Sequence, residues 1–135
     1  MKLSVILPAY NEAANIGAVI SEIQQIISQC GDVSSSEIIV VDDQSSDDTW
    51  DAVSRLRHEN VRCLRLSRRS GSHTAVRAGL LETTGDCVLC ISADGQDNPV
   101  VLNEMISKIK GGAHTIWGIR NVRNETFTDK LAANV

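Results

Sequence analysis

Acidic, amide and basic side chains in this sequence gather at a few places, each directly after a run of apolar residues. Tyr10, Asn11 and Glu12 follow Leu3-Ser4-Val5-Ile6-Leu7. Asp42 and Asp43 follow Glu37-Ile38-Ile39-Val40-Val41 and open a polar stretch running through Gln44, Ser45, Ser46, Asp47 and Asp48 to Thr49. Ser67, Arg68 and Arg69 follow Val61 to Leu66; Asp94, Gln96 and Asp97 follow Cys87 to Ser92; Arg120 follows Thr115 to Ile119. Carboxylate and amide oxygens are hard ligands suited to Mg2+ or Mn2+. Arginine suits phosphate. Acids, amides, an aromatic ring and arginines brought to one place point to a site for a nucleotide and a metal ion.

Each group also has a plainer reading. Asp42-Asp43 followed by Ser45, Asp47, Asp48 and Thr49 are the residue types that turns and helix caps select, and Asp47 or Asp48 is expected to cap a helix. That reading does not account for Asp42, set directly against the end of an apolar strand. Arg65, Arg68 and Arg69 alone would read as a solvated basic face, Ser72 and His73 as helix-start chemistry, and Asp94 and Asp97 as turn residues before Pro99. The joint placement of these groups carries the argument.

The elements that must position them alternate regularly. Ile16, Val19, Ile20, Ile23, Ile26 and Ile27 recur at helical spacing, and Asn11 is a candidate cap for that helix, which should end near Cys30-Gly31. The second strand, continuous and β-branched, reads as covered on both faces. Trp50, Val53 and Leu56 mark a second helix, residues 72 to 82 a third, and Leu102, Met105, Ile106 and Ile109 a fourth, stopped by Gly111-Gly112. A fifth strand is expected over Thr115 to Ile119. Strands separated by helical crossovers predict an α/β sandwich, a parallel sheet covered by helices, with ligands beyond the carboxyl ends of the strands. Strand order is not encoded in this pattern.

Composition sets the outer limits. A chain of 135 residues with 42% hydrophobic and 22% charged residues suits one compact domain over residues 1 to 135. Thirteen basic against seventeen acidic residues give a net charge of -4, which argues against a nucleic-acid partner. No apolar run approaches the ~18 residues of a membrane span, and nothing at the amino end reads as a signal peptide. The pair Cys87 and Cys90 lies in a strand-like run, where residues three apart face opposite ways. The two sulfurs therefore cannot share a metal, and buried core thiols in a reducing, cytoplasmic setting are expected.

Several stretches taken together resemble the nucleotide-binding half of family-2 glycosyltransferases with the GT-A fold. They are Val5 to Glu12, Ile39 to Thr49, Ala75 to Leu80, Gly85 to Leu89 leading to Ser92-Ala93-Asp94-Gly95-Gln96-Asp97-Asn98-Pro99, and Gly118-Ile119-Arg120. The Asp94-Gly95-Gln96 form is most similar to enzymes that glycosylate polyprenyl phosphates, the dolichyl-phosphate mannose synthase type. The resemblance implies a Rossmann-like three-layer sandwich and an inverting, metal-assisted transfer from a nucleotide-diphosphate sugar to an acceptor such as a polyprenyl phosphate or a saccharide. It implies that Pro8, Ala9, Tyr10 and Glu12 line the base and ribose pocket and that Asp42 hydrogen-bonds the nucleobase. Asp94, with Gln96 beside it, would hold a divalent metal (Mg2+ or Mn2+), and Arg120 would lie near a phosphate.

Two positions depart from the family pattern. Ser92 stands where the metal motif usually has its first Asp, and Ser72 where many relatives carry a lysine. No general base is assignable, although a phosphate acceptor, already an anion, needs none. Residues 126 to 131 read as the start of a helix without its partner. The chain is therefore expected to be an amino-terminal portion of a glycosyltransferase, with acceptor elements and any membrane-facing part in a longer form. The alternative is a non-catalytic nucleotide-binding or assembly module, self-associating through exposed core. A phosphorelay receiver fits poorly, because its acidic pair would follow the first strand and a lysine the fifth.

Overall fold

Leucine, isoleucine and valine carry the chain through β1 (Lys2–Ala9), the only strand with a paired neighbour on each side that is shut from solvent nearly throughout among the described residues. The computed structural model describes residues 1–95, 101–116 and 118. Within them follow α1 (Ile16–Gln29), β2 (Ser35–Asp42), α2 (Thr49–Arg55), β3 (Val61–Arg65), α3 (Ser72–Leu81), β4 (Cys87–Cys90) and α4 (Val101–Lys110). The strands form a four-stranded sheet in the order β3-β2-β1-β4, and every pairing is parallel.

Layering follows from which way the side chains face. Leu3, Val5 and Leu7 of β1 with Ile38 and Val40 of β2 pack against α1, α2 and α4, whose inward residues include Ile16, Ile20, Ile23, Val53, Leu102 and Ile106. The alternate residues Ile6, Ile39 and Val41 pack against Ala75 and Ala78 of α3 on the other face. Each buried Ile or Leu of the α1 stripe contributes about 1.5–3 kcal/mol. Contact with α3 is close: a Cβ at Gly79 would stand 2.6 Å from Ile6 Cγ2.

The chain steps β1 to β2 to β3 with α1 and α2 on one face, then returns to place β4 on the far side of β1 with α3 on the opposite face. A fixed crossover handedness requires the change of face when the direction reverses. The reversal lies between β1 and β4, and in open parallel sheets the crevice at such a point receives ligands.

Pro8 lies at that reversal. The last ladder bond from the β4 segment to β1 runs from the Ile91 amide to the Ile6 carbonyl. By the alternation of a parallel ladder, the next bond would require an N–H from Pro8, which has none. The two strands are free to part there.

At the opposite edge, Glu37 joins several segments. It accepts from the Ser4 hydroxyl (2.7 Å) and from the amide and hydroxyl of Thr84 (2.7 Å each), and it pairs with Arg62 at 3.4 Å. Burial alone would raise its pKa, but these hydrogen bonds, helped by the charge of Lys2, bring it down to about 2.

Three expectations change. Asn11 does not cap α1: the N-cap is Asn15, and Asn11 lies five residues before the helix with φ 55°. Cys90 is exposed rather than buried, because it faces the α3 side of the edge strand while α3 packs over β1 and β2; Cys63 and Cys87 are half-buried. Thr115 and Ile116, placed in a fifth strand by the sequence reading, are irregular, as is Gly118, while residues 117 and 119 lie outside the described residues.

Candidate functional site

The polar residues at the carboxyl edge divide into those that build the loops and those left to act. Most of the polar run after β2 builds. Ser45 Oγ accepts from the Asn11 amide (2.9 Å), Thr49 Oγ1 from the Glu12 amide (2.9 Å) and Asp47 Oδ2 from the Ala13 amide (3.1 Å). Asn11 Oδ1 in return accepts from the amide and hydroxyl of Ser46, at 2.9 and 3.2 Å. The loops after β1 and β2 are thereby sewn together. Asn11 takes a left-handed backbone conformation there (φ 55°), which asparagine tolerates better than most residues.

Asp47 also accepts from the amide and hydroxyl of Thr49, so it stabilises the start of α2. Burial would raise its pKa, but those bonds and the Ala13 amide hold it below the usual carboxylate range. Asp48, which occupies the N-cap position, makes no side-chain capping bond.

Asp43 acts on the other face. It is 4% exposed and accepts from the amides of Ser70 (2.6 Å) and Gly71 (2.8 Å). Gly71, at φ 89°, takes the left-handed turn that leads into α3. Asp43 thus fixes the loop carrying Arg68 and Arg69, and Arg69 lies with its guanidinium 4.0 Å from the centre of the Tyr10 ring. The sequence reading placed Asp43 among the edge acids without this role. Its signal was the two-residue period of β2, which sends neighbouring aspartates to opposite faces.

Asp42 is the acid the scaffold does not use up. It is 0% exposed. Its Oδ1 accepts from the Ser45 amide at 3.0 Å, whereas Oδ2, equally shut from solvent, makes no hydrogen bond. Arg65, its neighbour in register on β3, brings Nε to 3.1 Å from Oδ2 as an ion pair without hydrogen-bond geometry. A buried acceptor left without an N–H or O–H costs roughly 1–3 kcal/mol, so this oxygen is a place where a donor group would be favoured. The nearby Cys63 thiol is no nucleophile at neutral pH, because burial and then the Asp42 charge push its pKa up to about 12.

The remaining expected residues that the structure describes lie at the carboxyl ends of β1 and β4. Pro8 is half-buried opposite Val41, and Ala9 is buried opposite Asp42. Tyr10 and Glu12 are half-buried in the loop after β1. Asp94 is half-buried in the turn that follows β4. Asp42 closes β2 and Asp94 lies four residues past the end of β4, and β1 is the strand between the two. Gln96 and Arg120 lie outside the described residues.

For a metal, Ser92 and Asp94 offer hard oxygen donors, but no cluster of three or more acidic, histidine or cysteine side chains occurs among the described residues. One carboxylate and a hydroxyl fit a cation that keeps waters and takes its other ligands from substrate phosphates; they do not make a self-sufficient cage. No described helix is long and apolar enough to cross a membrane.

Comparison with known proteins agrees with this architecture. The family model described as glycosyl transferase family 2 matches residues 4–134. A dolichol-phosphate mannosyltransferase of Pyrococcus furiosus is 36% identical over 124 residues, covering 91% of this chain and 34% of the relative. An undecaprenyl-phosphate 4-deoxy-4-formamido-L-arabinose transferase of Enterobacter sp. is 29% identical, covering 99% of this chain and 41% of the relative. The solved structure of a Pyrobaculum calidifontis mannosyltransferase in complex with GDP-Man and Mn2+ superimposes with a TM-score of 0.61 at 26% identity, over 77% of this chain and 31% of that one. The chain therefore spans between a third and two fifths of the length of these curated relatives.

Proposed function

This chain belongs to glycosyltransferase family 2 and has the GT-A fold, and from that premise we propose that its carboxyl edge binds a nucleotide-diphosphate sugar for inverting sugar transfer. The observation that carries the proposal is the buried, unbonded Asp42 Oδ2, set one strand away from the loop that carries Asp94. The base would sit beside Tyr10 and donate to Asp42, with Pro8, Ala9 and Glu12 lining base and ribose. The diphosphate would then extend across β1 toward Asp94, with Gln96 and Arg120 as further contacts. Asp94, seconded by Gln96, would hold a divalent cation, Mg2+ or Mn2+. When bound, that ion supplies positive charge to the departing nucleoside diphosphate.

In this reaction the acceptor oxygen forms a bond to the anomeric carbon as the bond to the diphosphate breaks on the opposite side. Preorganised donors and fixed charges at the edge stabilise the leaving group without reorganising. A polyprenyl phosphate is the acceptor class supported by two relatives, one a dolichol-phosphate and the other an undecaprenyl-phosphate transferase. Its oxygen is already anionic and needs no base.

A second reading, a nucleotide-binding module that performs no transfer, draws on Ser92 in place of a second carboxylate. Calorimetric titration of the chain with uridine, guanosine and thymidine diphosphate sugars, with and without Mn2+, tests binding. Saturable binding strengthened by Mn2+ is expected, and absence of binding by every donor would refute the proposal. Transfer of labelled sugar to a polyprenyl phosphate separates the two readings.

A further inference from the structure

We propose that the outer face of α3, with the loop that leads into it, docks on the surface of an anionic lipid bilayer. This goes beyond the donor-binding reading and requires no nucleotide.

Residues 60–81 carry five arginines and no acid, in a chain whose seventeen acids outnumber its thirteen bases. Two of the five are used within the fold: Arg62 pairs with Glu37 and Glu82, and Arg65 with Asp42. Arg68, Arg69 and Arg77 are exposed, and no ion pair joins them to an acid among the described residues. Asp43, which holds this loop through the Ser70 and Gly71 amides, is shut from solvent and presents no charge at the surface. The face is therefore basic on a molecule of net charge -4.

The helix adds an apolar end. Ala75 and Gly79 are buried against the sheet, whereas His73, Arg77, Leu80 and Leu81 recur at positions i, i+4, i+7 and i+8 as one exposed stripe. Leu80 is 46% and Leu81 80% exposed. Cations followed by bare leucines on one stripe suit a lipid surface: arginines meet anionic headgroups and leucines enter the apolar boundary beneath them. A purely polar anionic partner would satisfy the arginines and leave the leucines in water. The amino end of α3 stands at the carboxyl edge, because Asp43 directly after β2 holds it there. Docking through this face brings that edge beside the bilayer, the phase in which a polyprenyl phosphate resides.

The test is co-sedimentation of the full chain, without nucleotide, with vesicles of phosphatidylglycerol and phosphatidylcholine in equal parts and with vesicles of phosphatidylcholine alone. Binding to the mixed vesicles should be at least about tenfold tighter, the scale of two basic residues near an anionic surface. It should weaken steeply toward an ionic strength of about 1 M, where charges are screened within about 3 Å. Arg77→Gln should weaken it about fivefold, the share of one such residue. Leu81→Gln should weaken it about threefold or more while leaving the salt dependence unchanged. Both side chains are exposed, and melting curves verify that the variants fold. Arg55→Gln, on α2 at the opposite face of the sheet, should leave binding unchanged. Equal binding to both vesicle types, or none, would overturn the inference, as would an equal loss in Arg55→Gln and Arg77→Gln. A concentration-dependent dimer abolished by Leu81→Gln would assign the face to a second copy and overturn it too. Donor titration is read separately, so vesicle binding without donor binding would remove the donor reading and leave this one standing.

Discussion

Asp42 and Asp43 are adjacent and chemically identical, yet Asp43 uses both oxygens as hydrogen-bond acceptors while Asp42 keeps a buried oxygen without a hydrogen bond. Asp43 spends both oxygens on the amides of Ser70 and Gly71, so Asp43→Ala would strand two donors and release the loop before α3. Urea unfolding should show a loss of about 2–3 kcal/mol, the range for hydrogen bonds to a charged group. Glu37 carries a pH signature. Its pKa of about 2 lies below the ordinary 4.5, so its stabilisation is fully present above pH 4.5 and fades as pH falls toward 2. Glu37→Gln should lower stability at pH 7 and flatten its decline between pH 4.5 and 2.5, which parallel urea titrations would measure. The sequence reading set Asp42 apart because it abuts a run of β-branched residues, although its Oδ1 also serves the following turn by accepting from the Ser45 amide. The two-residue period of β2 hinted that Asp43 faces the other way, but its partners, 27 and 28 residues away, were not legible.

Among the elements, Pro8 and Gly79 carry the clearest consequences. Pro8→Ala restores the N–H that would let β1 and the segment after β4 keep pairing. Unchanged or slightly raised thermal stability together with weaker nucleotide binding is expected, read by melting and calorimetry on the same sample. Gly79→Ala would drive a methyl to 2.6 Å from Ile6 Cγ2 and force α3 away from the sheet. Overpacking of this kind costs typically about 1–3 kcal/mol and should lower the melting temperature. The isoleucine stripe of α1 and the continuous apolar run of β2 made the elements readable from spacing alone. Asn11 misled because asparagine serves both caps and left-handed turns, and only the neighbouring β2–α2 loop decides between them. Cys90 misled because an apolar strand reads as covered on both faces, whereas β4 is an edge strand that α3 does not overlie.

For the whole molecule, strand order was the missing quantity. Alternating strands and helices fix the class but permit several orders; β3-β2-β1-β4 is what puts the reversal beside β1 and brings distant loops to one edge. The central proposal is that this edge holds an activated sugar donor with its base at Asp42 and its diphosphate toward Asp94. Amide NMR of the chain during titration with a uridine or guanosine diphosphate sugar addresses it most directly, first with Mg2+ and then with trace Mn2+ as a paramagnetic probe. The expected shifts are confined to the carboxyl edge, at Tyr10, Asp43, Ser45 and Leu66, with Mn2+ broadening centred on Asp94. Shifts confined to the amino edge around Lys2, Glu37 and Arg62, or no shifts with any donor, would contradict it.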